Sequence, residues 1–128
     1  MKRAVFEIKQ NAVGRYYFVF KDTDGKLLII SKSFPDRSML EICIAQVREK
    51  AKVAGIKENM DDIMQPPLFI INKDISGYAF TLIGFEGEVI FSSESYEQKS
   101  ECLNSVELLK DLSFDAGIAD YIYGKRRY

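Results

Sequence analysis

Two cysteines, four regularly placed serines and one acidic turn are the residues of this 128-residue chain whose types invite chemistry. Cys43 and Cys102 are far apart, and no Cys-x-x-Cys spacing offers a zinc or redox site. A reactive thiol needs a basic or helix-N-terminal setting to lower its pKa. Both cysteines fall in apolar helical phase, which makes them small core residues. Ser31, Ser33, Ser93 and Ser95 recur as Ser-x-Ser. A serine nucleophile needs a base, and the chain has no histidine. Lys32 adjoins Ser31, but neighbours in a strand point to opposite faces. The serines are therefore expected to cap strand ends through their hydroxyls. Asp22-Thr23-Asp24-Gly25 begins like a calcium loop, which needs further oxygens and a Glu at its twelfth position. The run that follows, "KLLIIS", is a strand, so the acidic stretch reads as a hairpin turn. Glu86, Glu88 and Glu94 flank a hairpin strand and read as solvated. Neither a catalytic residue, a metal ligand nor a cofactor is expected.

The elements around these residues occur twice. When Gly25 is set on Gly87, Tyr16 falls on Tyr78, Phe18 on Phe80, Ser31 on Ser93 and Phe34 on Tyr96. Ile44 and Val47 fall on Val106 and Leu109. Self-similarity at a period near 60 marks a duplicated supersecondary unit. Strands are predicted over Val5–Lys9, Arg15–Lys21 and Lys26–Ser31, and again over Leu68–Asn72, Tyr78–Ile83 and Glu88–Ser92. "DTDG" and "GFEG" provide turns with glycine at the positive-φ position. The period then changes to 3.6. Leu40, Cys43, Ile44, Val47 and Ala51 share one helix face, repeated by Cys102, Val106 and Leu109. Pro35 and Asp36 suit the first turn of the first helix, Gly55 its end, and Ser95-x-x-Gln98 a capping box for the second, the alternative being a start nearer Ser100.

The expected class is α+β: two tandem β-β-β-α repeats, with antiparallel sheet covered on one face by two helices about a pseudo-twofold axis. Repeat 1 is assigned to residues 1–57, a linker to 58–67, repeat 2 to 68–112 and a C-terminal tail to 113–128. A lone unit of about 60 residues buries little core, so the repeats are expected to form one compact unit.

These residues resemble the YegP-like family of small bacterial proteins built from tandem β-β-β-α repeats. The resemblance lies in "GRYYFVFKDTDGKLLIISKSF" with "IAQV", and in "GYAFTLIGFEGEVIFSSESY" with "SVELL". It extends to about Asp111. Asp24 and Glu86 replace the small polar residue usual before the turn glycine, and Cys43 and Ser105 replace a glycine usual in the helix. The resemblance implies a fold. It adds no catalytic residues, because members are largely without an established activity.

Charge and face polarity bear on function. The net charge is −1, but it is unevenly split. Residues 1–57 hold 12 Lys/Arg against 6 Asp/Glu, and residues 58–128 hold 6 against 13. The halves can attract each other, the basic half can bind an acidic partner, or copies can associate head to tail. Alternation puts Tyr16, Phe18, Phe20, Leu27 and Ile29 on the core face of repeat 1. Arg15, Tyr17, Val19, Lys21, Lys26, Leu28, Ile30 and Lys32 then form the other face. A face with an apolar middle and a basic rim is usually covered. Another subunit, the linker, or the tail with Ile118, Tyr121 and Tyr123 can cover it. The expectation is a non-enzymatic binding module that contacts a protein partner or a second copy through this face. The alternatives are nucleic-acid binding by the basic face, with a possible phosphate contact from "GKRRY", or a small-ligand or enzyme pocket between the repeats. No apolar run reaches membrane-span length and no apolar segment follows the basic start, so a cytoplasmic protein without membrane contact is expected.

Overall fold

The computed structural model describes residues 3–120. Tyr121, Tyr123 and the basic "GKRRY" end lie outside the described residues. The first unit runs β1 (Val5–Gln10), β2 (Tyr16–Lys21), β3 (Leu27–Ile30), α1 (Arg37–Lys50) and β4 (Gly55–Lys57). The second runs β5 (Leu68–Asp74), β6 (Gly77–Ile83), β7 (Val89–Ser92), α2 (Lys99–Leu112) and β8 (Gly117–Asp120). Aromatic and β-branched strands joined by tight turns fold back into antiparallel hairpins. Gly25 and Gly87 stand at the turns with φ of 83° each, a conformation that side chains disfavour. Asp36 caps α1 by accepting from the Met39 amide at 2.9 Å. That bond, with help from the Ser38 hydroxyl, holds its carboxyl below the usual aspartate range. In α2 the cap is Gln98, whose amide donates to Glu101, so the helix starts at Lys99, close to the alternative start near Ser100 and not behind a Ser95 cap.

Each unit has a fourth strand beyond the expected three. Gly55 starts β4 and does not close α1, which ends at Lys50 with Ala51 as its cap, and residues 113–120, assigned above to the tail, form a short helical turn and β8. Both added strands cross to the opposite unit. β8 pairs in parallel with β1 and β4 with β5, giving sheets ordered β3-β2-β1-β8 and β4-β5-β6-β7. A single short helical turn, Ala51–Val53 or Ser113–Asp115, redirects each chain after its helix. The crossings are clamped reciprocally. Arg48 on α1 donates to the Ala116 carbonyl ahead of β8, and Lys110 on α2 donates to the Ala54 carbonyl ahead of β4.

The two sheets meet at Ser31 and Ser93, which bridge antiparallel. The Lys32 amide donates to the Ser92 carbonyl at 2.9 Å, and the Glu94 amide to the Ile30 carbonyl at 2.8 Å. Here each strand leaves one neighbour for another, so a backbone acceptor is missing. The serine side chains replace it: the Phe18 amide donates to Ser31 Oγ at 3.0 Å and the Phe80 amide to Ser93 Oγ at 3.1 Å. Both serines are buried. One core then runs beneath the helices across both units. Phe6, Phe18, Phe91, Phe80 and Phe69 form a chain of ring contacts through the seam, with the Phe18–Phe91 centroids 5.1 Å apart. Cys43, Ile44 and Val47 of α1, and Cys102, Val106 and Leu109 of α2, close this core.

Candidate functional site

The outer sheet face of repeat 1 departs from simple alternation at one place. Phe20 pairs with Ile29 but Lys21 pairs with Leu27, so Leu28 is the extra residue of a β-bulge. The bulge turns Leu28 inward beside Ile29, and both are buried in the core. Leu28 is therefore corrected from the outer face to the core, and Leu27 from the core to the surface, where it is 47% exposed. Ile90 is the equivalent bulge residue of repeat 2 and is likewise buried.

Of the eight predicted face residues, Tyr17, Val19, Lys21 and Ile30 come together. They line a hollow of about 600 Å³ with Lys9, Asn11, Leu27, Ser31, Ser33 and Glu94. Val19 is buried and pairs across the strands with Ile30. Beside Val19 lies the buried Glu7, paired to Lys21 at 3.2 Å and to Lys9 at 3.8 Å. Arg15 sits at the rim, its Nε donating to Ser33 Oγ at 2.7 Å. Lys32 is exposed on the seam, and Lys26 lines a different groove, on the other side of Leu27. Lys9 and Glu7 were legible in the sequence, since β1 alternates them with Phe6 and Ile8. The bulge and the contribution of Glu94 from repeat 2 had no local signal.

Repeat 2 carries a different chemistry at the same place. Thr81 and Ser92 replace Val19 and Ile30, and their hydroxyls hydrogen-bond each other at 2.9 Å. The outer face of repeat 2 is thus closed by an internal polar pair, whereas that of repeat 1 leaves an apolar pair beside ammonium groups.

The groove lined by Lys26 measures about 270 Å³ and lies against the bulge, between β3 and α2. The Leu28 carbonyl points to it and accepts from Tyr96 Oη at 2.8 Å and from Ser105 Oγ at 2.9 Å. Burial pushes the Tyr96 phenol well above its usual range. The thiols are inert for the same reason: burial pushes Cys43 up to about 12 and Cys102 to about 11. Both cysteines are unpaired and buried. Among the described residues, no group of three or more Cys, Asp or Glu side chains could hold a metal ion, and no helix is long and apolar enough to cross a membrane.

Comparison with known proteins agrees with this arrangement. Residues 76–120, which are β6, β7, α2 and β8 with their turns, match the family described as "Domain of unknown function (DUF1508)". The solution structure of YegP from E. coli, titled a protein of unknown function, superposes with a TM-score of 0.70 at 16% identity, covering 98% of both chains. The fold is YegP-like. A UPF0339 protein from Shewanella oneidensis has a TM-score of 0.65 at 15% identity, over 93% of this chain and 92% of its own. No curated protein matches the sequence. At these identities the two structures speak for the fold alone. The second unit of this α+β fold also bears the family's sequence pattern, and that match includes the β8 strand.

Proposed function

We propose that the protein is a non-enzymatic contact module whose contact surface is the hollow on the outer face of repeat 1. Its occupant is an acidic segment bearing apolar side chains, supplied by another protein or a second copy. One observation carries this reading. At equivalent, cross-strand-paired positions repeat 2 has the self-satisfied Thr81–Ser92 pair, and repeat 1 has Val19–Ile30. The scaffold tolerates either pair, so the apolar one is not a folding requirement. Leu27 and Ile30 leave apolar surface open to water there. Lys9 and Lys21 at the wall favour an acidic partner, and the excess of basic residues in 1–57 acts in the same direction. In the cytoplasm, which we propose as its location, the two buried thiols would stay reduced.

Nucleic acid is the weaker occupant, because Leu27 and Ile30 present aliphatic surface that a sugar-phosphate backbone leaves unmatched. Binding driven by counterion release would fall steeply with salt, and a salt-sensitive complex with single-stranded DNA would reverse this choice.

The test is a site-specific photo-crosslinker placed at Tyr17 and, as control, at Ala79, its repeat 2 equivalent. Light scattering over a range of protein and salt concentrations identifies a second copy. We expect adducts from position 17 that Ile30→Glu abolishes, and few from position 79. Equal labelling at both positions, or adducts indifferent to Ile30→Glu, would sink the proposal.

A further inference from the structure

The pseudo-twofold gives this fold two equivalent grooves, one beside each bulge. In one, Phe34, Met39, Ile42 and Cys43 face Val89 and Ile90. In the other, the equivalents Tyr96, Glu101, Asn104 and Ser105 face Leu27 and Leu28. All four apolar positions have become polar. The first groove shows that the scaffold does not require the polar set. We propose that the polar groove is a binding site for a small primary ammonium compound.

The chemistry follows from counting protons. A carbonyl oxygen has two lone pairs, and a hydroxyl has one proton and two lone pairs. The Leu28 carbonyl receives both the Tyr96 and the Ser105 protons, at 2.8 and 2.9 Å. Its acceptor capacity is filled, and neither hydroxyl has a proton left to donate. Tyr96 Oη and Ser105 Oγ can therefore offer a ligand only lone pairs. The carboxylates of Glu94 and Glu101 line the same groove. Glu101 uses one oxygen on the Gln98 amide at 3.1 Å and keeps the other. The lining also holds donors, the Asn104 amide, the Ser95 hydroxyl and the Lys26 ammonium, but two carboxylates stand against the one lysine, and this net anionic, acceptor-rich wall suits a cation that presents several N–H donors, as a primary ammonium does. The volume of about 270 Å³ admits a small molecule rather than a drug-sized one. Lys26 is the groove's lone cation among its lining residues and stands on the β3 side. It would meet a carboxylate if the ligand carried one, so a free amine and an amino-acid zwitterion share the ammonium chemistry and differ at Lys26.

The site is separate from the outer hollow, although Leu27, Ile30 and Glu94 contribute to both. The experiment is calorimetric titration of the full chain with ethanolamine, with choline as its N-methylated counterpart, and with serine as its carboxylated one. We expect ethanolamine to bind in the millimolar range and choline, which has no N–H, at least tenfold more weakly. Serine binding more tightly than ethanolamine, with the difference erased by Lys26→Ala, assigns the zwitterion; equal binding assigns the free amine. Glu94→Gln, at an exposed residue, should weaken ethanolamine about tenfold without threatening the fold. Choline binding as tightly as ethanolamine, Glu94→Gln having no effect, or no ethanolamine binding at millimolar concentration would each overturn the proposal. Crosslinking at Tyr17 reads the outer hollow independently, so the two readings can fail separately.

Discussion

Substituting Ser31 by alanine tests the seam that makes two sheets into one fold. Ser31 is 2% exposed, and its Oγ is the acceptor for the Phe18 amide at 3.0 Å. Phe18 itself is fully buried, so water cannot replace the lost oxygen. A typical hydrogen bond contributes about 1 kcal/mol net, but an orphaned buried donor costs about 1–3 kcal/mol. The expected loss is therefore about 2 kcal/mol, which at a urea dependence of about 2 kcal/mol per molar shifts the midpoint by about 1 M. Ser93→Ala should behave alike, because Ser93 Oγ serves the Phe80 amide in the same way. Ser33→Ala is the control: it removes only the bond to the exposed Arg15 side chain and should stay within about 0.5 kcal/mol of the parent. Urea unfolding gives the energies, and amide hydrogen exchange localises them, with Phe18 expected to exchange faster in Ser31→Ala. If Ser31→Ala unfolds at the same urea concentration as Ser33→Ala, the Phe18 amide has another acceptor. The account of the seam serines would then be wrong.

Two further predictions follow from the same structure. Arg48→Ala removes the donor to the Ala116 carbonyl and should loosen β8 from β1, costing about 2 kcal/mol by thermal melt, while Arg48→Lys should recover part of it because Lys110 does the equivalent work at Ala54; a melt unchanged by Arg48→Ala removes the clamp from the account. Cys43 and Cys102, with pKa values pushed up to about 12 and about 11, should resist iodoacetamide at pH 8 and become alkylated only as the chain unfolds in urea. Rapid labelling of the folded protein would contradict their burial.

The sequence by itself determined the class of elements, the recurrence of their order along the chain and the core faces of the helices. The 62-residue offset that sets Gly25 on Gly87 carried that information, because strand alternation and helical period are local properties written into neighbouring residues. The same offset sets Ala54-Gly55-Ile56 on Ala116-Gly117-Ile118, a signal for β4 and β8 that three- and four-residue strands are too short to show by periodicity. Only tertiary structure decided where those strands go. Crossing to the opposite sheet is a long-range pairing, and what holds it, Arg48 and Lys110 on carbonyls of the other unit, is adjacent only after folding. The bulge is of the same kind. Leu27 and Leu28 are chemically identical neighbours, and it is the register of β3 against β2 that sends the second inward and leaves the first in water. The grooves combine both sources. Their residue types were readable at once, but that Tyr96 and Ser105 spend their protons on the Leu28 carbonyl is a fact of three-dimensional contact between repeats.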